Sequence, residues 1–342
     1  MSCLFIVDCL EKKETASFWR KSSERIMKDF ADAEIVMVDA TKLRKEKLDK
    51  SCKLLVLVGD DSSFSLLLNG IFDDLQKNSA QTLLGFIPTK ESAFAEGLGL
   101  PEGLDDLLTL LKSRNHQPLD VARCHCQGLQ NQLQSRIVLN DAQIRLPDSK
   151  LPFVLKGVLQ WLKNASGLMS PKSPNQISLC TSGEQIYKGG YLFSFIALGS
   201  RLTDGPVVME KRRYCQGKFR YFQLNNSSFF DLPSNLAKLA SGEEVTDHSD
   251  ILCKHFDNLE LKALGEDNLI VIDGVNVGRL PATFTMLPKA LRVVAPQLSQ
   301  PFKASPLKAS RKDMEVLKPL GKSLNPNAKN SHKAKTQEES KT

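Results

Sequence analysis

Two aspartates stand where a chain can do chemistry. Asp61 comes just after the apolar run 54–58 and Gly59, and Asp273 directly follows the apolar run 269–272 and precedes Gly274. A carboxylate at the end of a buried strand is held rigidly, and it can serve as a base, hold a cation or cap the next helix. The surroundings of Asp61 are the more informative. In KLLVLVGDDSSFSLLLNGIF (53–72), the Leu/Val run bounded by glycine reads as a strand buried on both faces. A polar turn, Asp60-Asp61-Ser62-Ser63, follows, and then Phe64, Leu67, Leu68 and Ile71 recur at helical spacing. Strand, turn and helix in that order aim backbone N–H groups and a helix N-terminus at an anion. The turn is therefore a candidate phosphate site, with Gly59, Asp60, Ser62 and Ser63 as its contacts. The plainer reading is the turn that any strand-to-helix connection needs.

A second stretch, LGFIPTKESAFAEGLGLP (84–101), repeats the pattern of strand, polar turn and helix, and places Lys90 and Ser92 in its turn. A third, VIDGVNVGRLP followed by MLPKALRVVAP (271–296), carries Asp273. Together the three resemble the diacylglycerol kinase catalytic-domain family, which includes bacterial lipid kinases and sphingosine kinases. Gly59, Asp61, Asn69 and Gly70 match that family's GGDGT-type turn and the NG that ends its helix, with Ser63 for the threonine. Pro88, Phe94, Ala95 and Leu98-Gly99-Leu100-Pro101 match the second motif, and Asp273-Gly274 matches a DGE.

The resemblance implies an N-terminal doubly wound α/β nucleotide-binding domain over 1–118 and a β-sandwich-like domain over 119–297, with the cleft between them. It also implies ATP-dependent phosphorylation of a lipid hydroxyl, of diacylglycerol or sphingoid type, with ATP and Mg²⁺ as cofactors. Asp61 and Asp273 would be catalytic, and Gly59, Asp60, Ser62, Ser63, Lys90 and Ser92 would bind the nucleotide.

Departures from the family pattern cluster at the same places. Asp60 and Ser62 replace glycines, Leu66 and Val275 replace glutamates, and the 88–93 turn is one residue short and lacks both glycines. Gln216 stands where the resemblance implies a metal-binding aspartate. A non-catalytic lipid- or protein-binding member of the same fold is therefore the alternative, and NAD kinase-like activity a third reading. If the site is vestigial, removing Asp61 or Asp273 is expected to be silent.

Composition narrows the partners. Of the net charge of +7, the stretch 302–342 supplies +6, with ten Lys/Arg against four Asp/Glu. The nearly neutral body offers no case for a nucleic-acid groove, while the tail suits an anionic membrane surface. Poor in apolar residues, 298–342 reads as a disordered basic tail. Other expected partners are the lipid substrate, ATP and a second copy of the chain.

No 18-residue apolar run and no leader-like N-terminus is present, so the expected location is cytoplasmic, peripheral to a membrane where the tail engages one. Eight scattered cysteines read as reduced thiols. Cys124-His125-Cys126 lacks a second ligand pair at zinc spacing, so no metal site is assigned.

The elements that must position these residues follow from periodicity. Strands are expected at 4–8, 34–38, 54–58 and 84–87, alternating with helices at 18–30 and 64–72, one that follows the 88–93 turn and one at 104–111, which is the pattern of a parallel sheet. Beyond about 117 short strands are expected at 119–124, 136–139, 142–146, 176–180, 191–198, 206–212, 218–224, 259–264, 269–274 and 283–287, interrupted by helices at 151–163 and 234–240.

Overall fold

A computed structural model describes residues 2–41, 52–77, 82–145, 175–203, 214, 216–225, 251–265 and 268–297. The expected helices at 151–163 and 234–240, a strand expected at 206–212 and the basic tail lie outside the described residues. Strands dominate, and the helices described fall within the first 113 residues.

The first part runs β1 (Ser2–Asp8), α1 (Lys13–Asp29), β2 (Glu34–Val38), β3 (Cys52–Gly59), α2 (Asp61–Lys77), β4 (Leu83–Pro88), α3 (Ala93–Leu98) and α4 (Leu104–Ser113). Its four strands are parallel in the order β4-β3-β1-β2. In β3 alternate side chains serve two cores. Leu54, Val56 and Val58 meet Trp19 and Ile26 of α1 and Leu107, Leu108 and Leu111 of α4 on one face. Leu55 and Leu57 meet Leu67, Leu68 and Ile71 of α2 and Phe94 of α3 on the other. Both faces are thus covered by helices, as a continuous Leu/Val run requires.

Ten further strands follow: β5 (His116–Gly128), β6 (Leu133–Val138), β7 (Asp141–Arg145), β8 (Asn175–Thr181), β9 (Glu184–Ala197), β10 (Phe219–Asn225), β11 (Ile251–Phe256), β12 (Asn258–Ala263), β13 (Leu269–Ile272) and β14 (Val275–Val294). They pair antiparallel with one another. β14 also touches the parallel part, where Val293 pairs with Leu84 of β4. Its ladder with β5 is in register from Ala282 to Leu287 and again from Leu291 to Val294. Between those runs, residues 288–290 bulge opposite Asp120, whose Oδ1 accepts the Lys289 N–H at 2.7 Å. None of the described helices is long and apolar enough to cross a membrane.

Candidate functional site

β3 ends at Gly59, and α2 starts at once. A side chain at position 59 would bring a Cβ within 2.6 Å of the Ser63 Cβ, so only glycine allows the helix to begin this close to the strand. The first N–H groups of a helix have no intrahelical partner, and an acidic residue is favoured beside them. Asp60 takes that position. Its Oδ1 accepts the Ser63 N–H and the Ser62 hydroxyl, both at 2.8 Å.

Two lysines from other connections close on the same carboxylate. Lys12, between β1 and α1, places Nζ 2.6 Å from Asp60 Oδ1, 2.9 Å from Ser62 Oγ and 2.7 Å from Ser63 Oγ. Lys90, between β4 and α3, places Nζ 3.2 Å from Asp60 Oδ2. Behind them Asp8 is buried and accepts the Ala40 N–H at 2.8 Å and the Ser63 hydroxyl at 2.5 Å, with Lys12 Nζ 3.5 Å away. Burial alone would raise the Asp60 carboxyl, but the hydrogen bond and charge of Lys12 outweigh it and hold the group well below the usual range.

Asp61 points the other way. It accepts the Ser92 hydroxyl and the N–H groups of Ala93 (2.9 Å) and Phe94 (3.4 Å), so it ties the start of α2 to the start of α3. Ser92 is itself the N-cap of α3, its Oγ accepting the Ala95 N–H at 2.9 Å. Burial pushes the Asp61 carboxyl up to about 6, with those hydrogen bonds opposing. The nucleotide-contact candidates Gly59, Asp60, Ser62, Ser63, Lys90 and Ser92 thus lie at two adjacent strand-to-helix connections, where side-chain bonds link Asp60, Ser62 and Ser63 to Lys12, Ser63 to Asp8, Lys90 to Asp60 and Ser92 to Asp61.

Asp273 occupies the turn between β13 and β14 with φ +48° and is buried. Its Oδ1 accepts the N–H groups of Asn140 (2.8 Å) and Asp141 (3.0 Å). Its Oδ2 accepts the Leu139 N–H (3.0 Å) and the Ser65 hydroxyl (2.8 Å). Two carboxylate oxygens offer about four lone-pair sites, and all four are used. Ser65 lies one helical turn beyond Asp61, so α2 brings the two acids to one region.

Next to Asp273 sits Asp141, which accepts from the Thr203 N–H (2.7 Å) and from the amides of Gln143 (2.7 Å) and Asn140 (3.1 Å). Burial raises Asp141, and burial together with the Asp141 charge pushes Asp273 up to about 7. A carboxyl raised by folding holds its proton more tightly in the folded state. Its stabilising contribution is therefore full below the usual carboxylate range and is lost as pH rises through the folded value. Asp61 and Asp273 both have this sign, so urea midpoints should fall between pH 5 and pH 8. Equal midpoints would show that burial does not govern these acids.

The β-rich part meets α3 across the same region. Tyr214 sets its ring edge-on to Phe94 at 5.3 Å and donates its hydroxyl to Asn140 Oδ1 at 2.7 Å. Gly97 leaves room for that ring. Arg201 pairs with Glu96 at 3.0 Å. Farther along α2, Asn69 bonds both backbone groups of Ile137 on β6, accepting its N–H at 2.7 Å and donating to its C=O at 3.2 Å. Sequence reasoning had matched Asn69 to a motif without a task for it. It read 8–12 only as a departure from the family's first turn, with no task for Asp8 or Lys12, and did not single out Ser65, Asn140, Asp141 or Tyr214. Among the described residues no cluster of three metal-ligating acids, histidines or cysteines occurs.

Neither a protein-family model nor a curated protein matches the sequence. Solved structures do. A diacylglycerol kinase from Bacillus anthracis str. Sterne is 16% identical, with TM-score 0.62, over 86% of this chain and 97% of that one. Two further structures from the same organism, also carrying the diacylglycerol kinase name, reach TM-scores of 0.66 and 0.65 at the same identity and coverage. The chain has the fold of these proteins, which is what its three sequence anchors led us to expect.

Proposed function

We propose that this chain is a lipid-kinase-fold protein that works by binding and not by phosphoryl transfer. The observation that carries the reading is Asp273, whose four acceptor positions are filled by three backbone N–H groups and the Ser65 hydroxyl. A general base needs a lone pair within reach of the proton it removes. Here each lone pair already holds a structural hydrogen bond.

The ATP and Mg²⁺ implied by the resemblance do not fit the turn as it stands. The Asp60 carboxylate occupies the α2 N-terminus and both neighbouring lysines, and nucleotide phosphates there would meet a like charge. In this reading 1–118 is a nucleotide-binding fold that has lost its ligand. Residues 119–297 form the sandwich-like part that supplies the binding surface. The basic 302–342 stretch adds attraction to anionic lipid, worth about 1 kcal/mol for each well-placed Lys or Arg.

A second reading, a working kinase, has one observation in its favour. α2 holds Asp61 and, through Ser65, Asp273 on neighbouring turns, as an acidic centre would require. One experiment separates the two. Melting curves with millimolar Mg²⁺–ATP should move by less than about 1 °C, whereas a site at 100 Kd would gain about 2.7 kcal/mol. Labelled γ-phosphate should not pass to diacylglycerol, sphingosine or ceramide, and transfer to any of them would refute the binding reading.

A further inference from the structure

We infer that Cys124 and Cys126 form a two-thiolate site for one soft monovalent cation, copper(I) by class, with Arg136 as its counter-charge. The inference is independent of the binding reading above. Residues two apart in a strand face the same side. β5 turns both cysteines inward, while His125 between them faces the other way and is exposed. Both thiols are free and buried. Across the ladders Cys124 is flanked by Phe284 of β14 and Arg136 of β6, and Cys126 by Ala282 and Gln134. Cross-strand neighbours share a face, so Arg136 and Gln134 stand beside the two sulfurs.

These surroundings favour negative charge on sulfur. The Cys124 S–H donates to the Cys126 sulfur, which also accepts from the Gln134 amide at 3.9 Å. Arg136 is near enough for its charge to act on Cys126, and its buried Nε has no hydrogen-bond partner. The Cys124 hydrogen bond holds the Cys126 thiol below its usual range against the effect of burial, with Gln134 and Arg136 adding to it. The Cys124 thiol is raised well above that range by the same bond and by burial. One proton is thus held between two sulfurs, where a soft cation can replace it.

Thiolates select copper(I) over hard divalent ions. A monovalent ion on two thiolates carries one negative charge, which Arg136 balances. Loading forms two metal–sulfur bonds and releases the protons that the thiols carry, and nothing is oxidised or reduced. Zinc would need two further ligands, and among the described residues no third cysteine, histidine or carboxylate joins the pair. Cys3, with Cys52 near it, offers a comparison. Burial pushes the Cys3 thiol up to about 12, with Cys52 adding to the rise, so it is the poorer ligand.

The test uses the full chain, reduced and free of oxygen, with copper(I) delivered from a competing chelator as probe. The parent should take up one ion per chain, gain about 3 °C or more in melting temperature when loaded, and show two sulfur neighbours by X-ray absorption. Cys124→Ser and Cys126→Ser should each abolish uptake, Cys3→Ser should leave it intact, and Arg136→Met should weaken it about tenfold. If a serine variant folds poorly, alanine, which adds no polar group to the core, takes its place. No uptake by the parent, uptake unchanged without Cys124 or Cys126, loss of uptake in Cys3→Ser, three or more sulfur neighbours, or unaltered affinity in Arg136→Met would overturn the inference.

Discussion

Asp273→Ala should lower stability by about 3–5 kcal/mol, read as a drop in the urea midpoint at unchanged m-value. The substitution leaves three backbone N–H groups and the Ser65 hydroxyl without their acceptor in a buried place. It also puts a residue with less tolerance of the left-handed region at φ +48°. Relief of repulsion with Asp141 offsets only part of this. Asp273→Asn should cost much less, about 1 kcal/mol. Asparagine accepts that backbone, its Oδ1 can take two N–H groups and its amide can donate to a reoriented Ser65, so the Leu139 N–H alone loses its acceptor. A residue kept as a base would behave oppositely, with stability nearly intact and turnover gone. Because its carboxylate joins three segments of the chain, removing Asp273 is expected to cost stability even in a vestigial site.

Lys12→Met is the second large effect, at about 3 kcal/mol. Methionine preserves length and apolar packing but removes a cation shared by Asp60 and Asp8. Without that cation the buried Asp8 carboxylate loses its ion pair and Asp60 keeps only Lys90, which is why the cost exceeds that of a surface pair. Lys12 and Asp60 side chains are 27% and 13% exposed, so solvent screens the pair only partly. Asp60 is held below the usual carboxylate range, so its contribution is present above that range and is lost as pH falls through the folded value. The deficit of Lys12→Met should therefore shrink in acid, and urea midpoints of parent and variant should converge as pH falls toward 2. A gap independent of pH would mean that Lys12 acts through packing alone.

Much of the α/β part was legible because its signals are local. The strand at 34–38 was expected with the bounds it has, whereas the turn expected at 60–63 shrinks to Asp60, because α2 already begins at Asp61. Ser92 and Asp61 could be placed at neighbouring turns because parallel strands send their connections to the same end. Lys12 could not be found this way. It reaches Asp60 across 48 residues only because β3 lies beside β1, and adjacency in a sheet leaves no mark on the chain between. Asp141 was hidden for a similar reason, since its neighbour Asp273 is far away in sequence. β11 was not anticipated at all, and β14 was read only in pieces, because Pro281 and Pro288 look like breaks in a strand.

The bulge at 288–290 also sets how this molecule can bend. On one side of it β5 and β14 pair without a break from Ala282 to Leu287, up to a second irregularity at 280–281, and on the other the ladder runs down to β4. A ladder resists shear along its length, since sliding by one residue would break its bonds together and turn every side chain to the opposite face. Compliance in this ribbon thus gathers at its two irregularities, and Asp120 pins the one at 288–290 by holding Lys289 on one oxygen and Gly217 on the other. The carboxylate of Asp120 thereby sets the stiffness of the ribbon at 288–290.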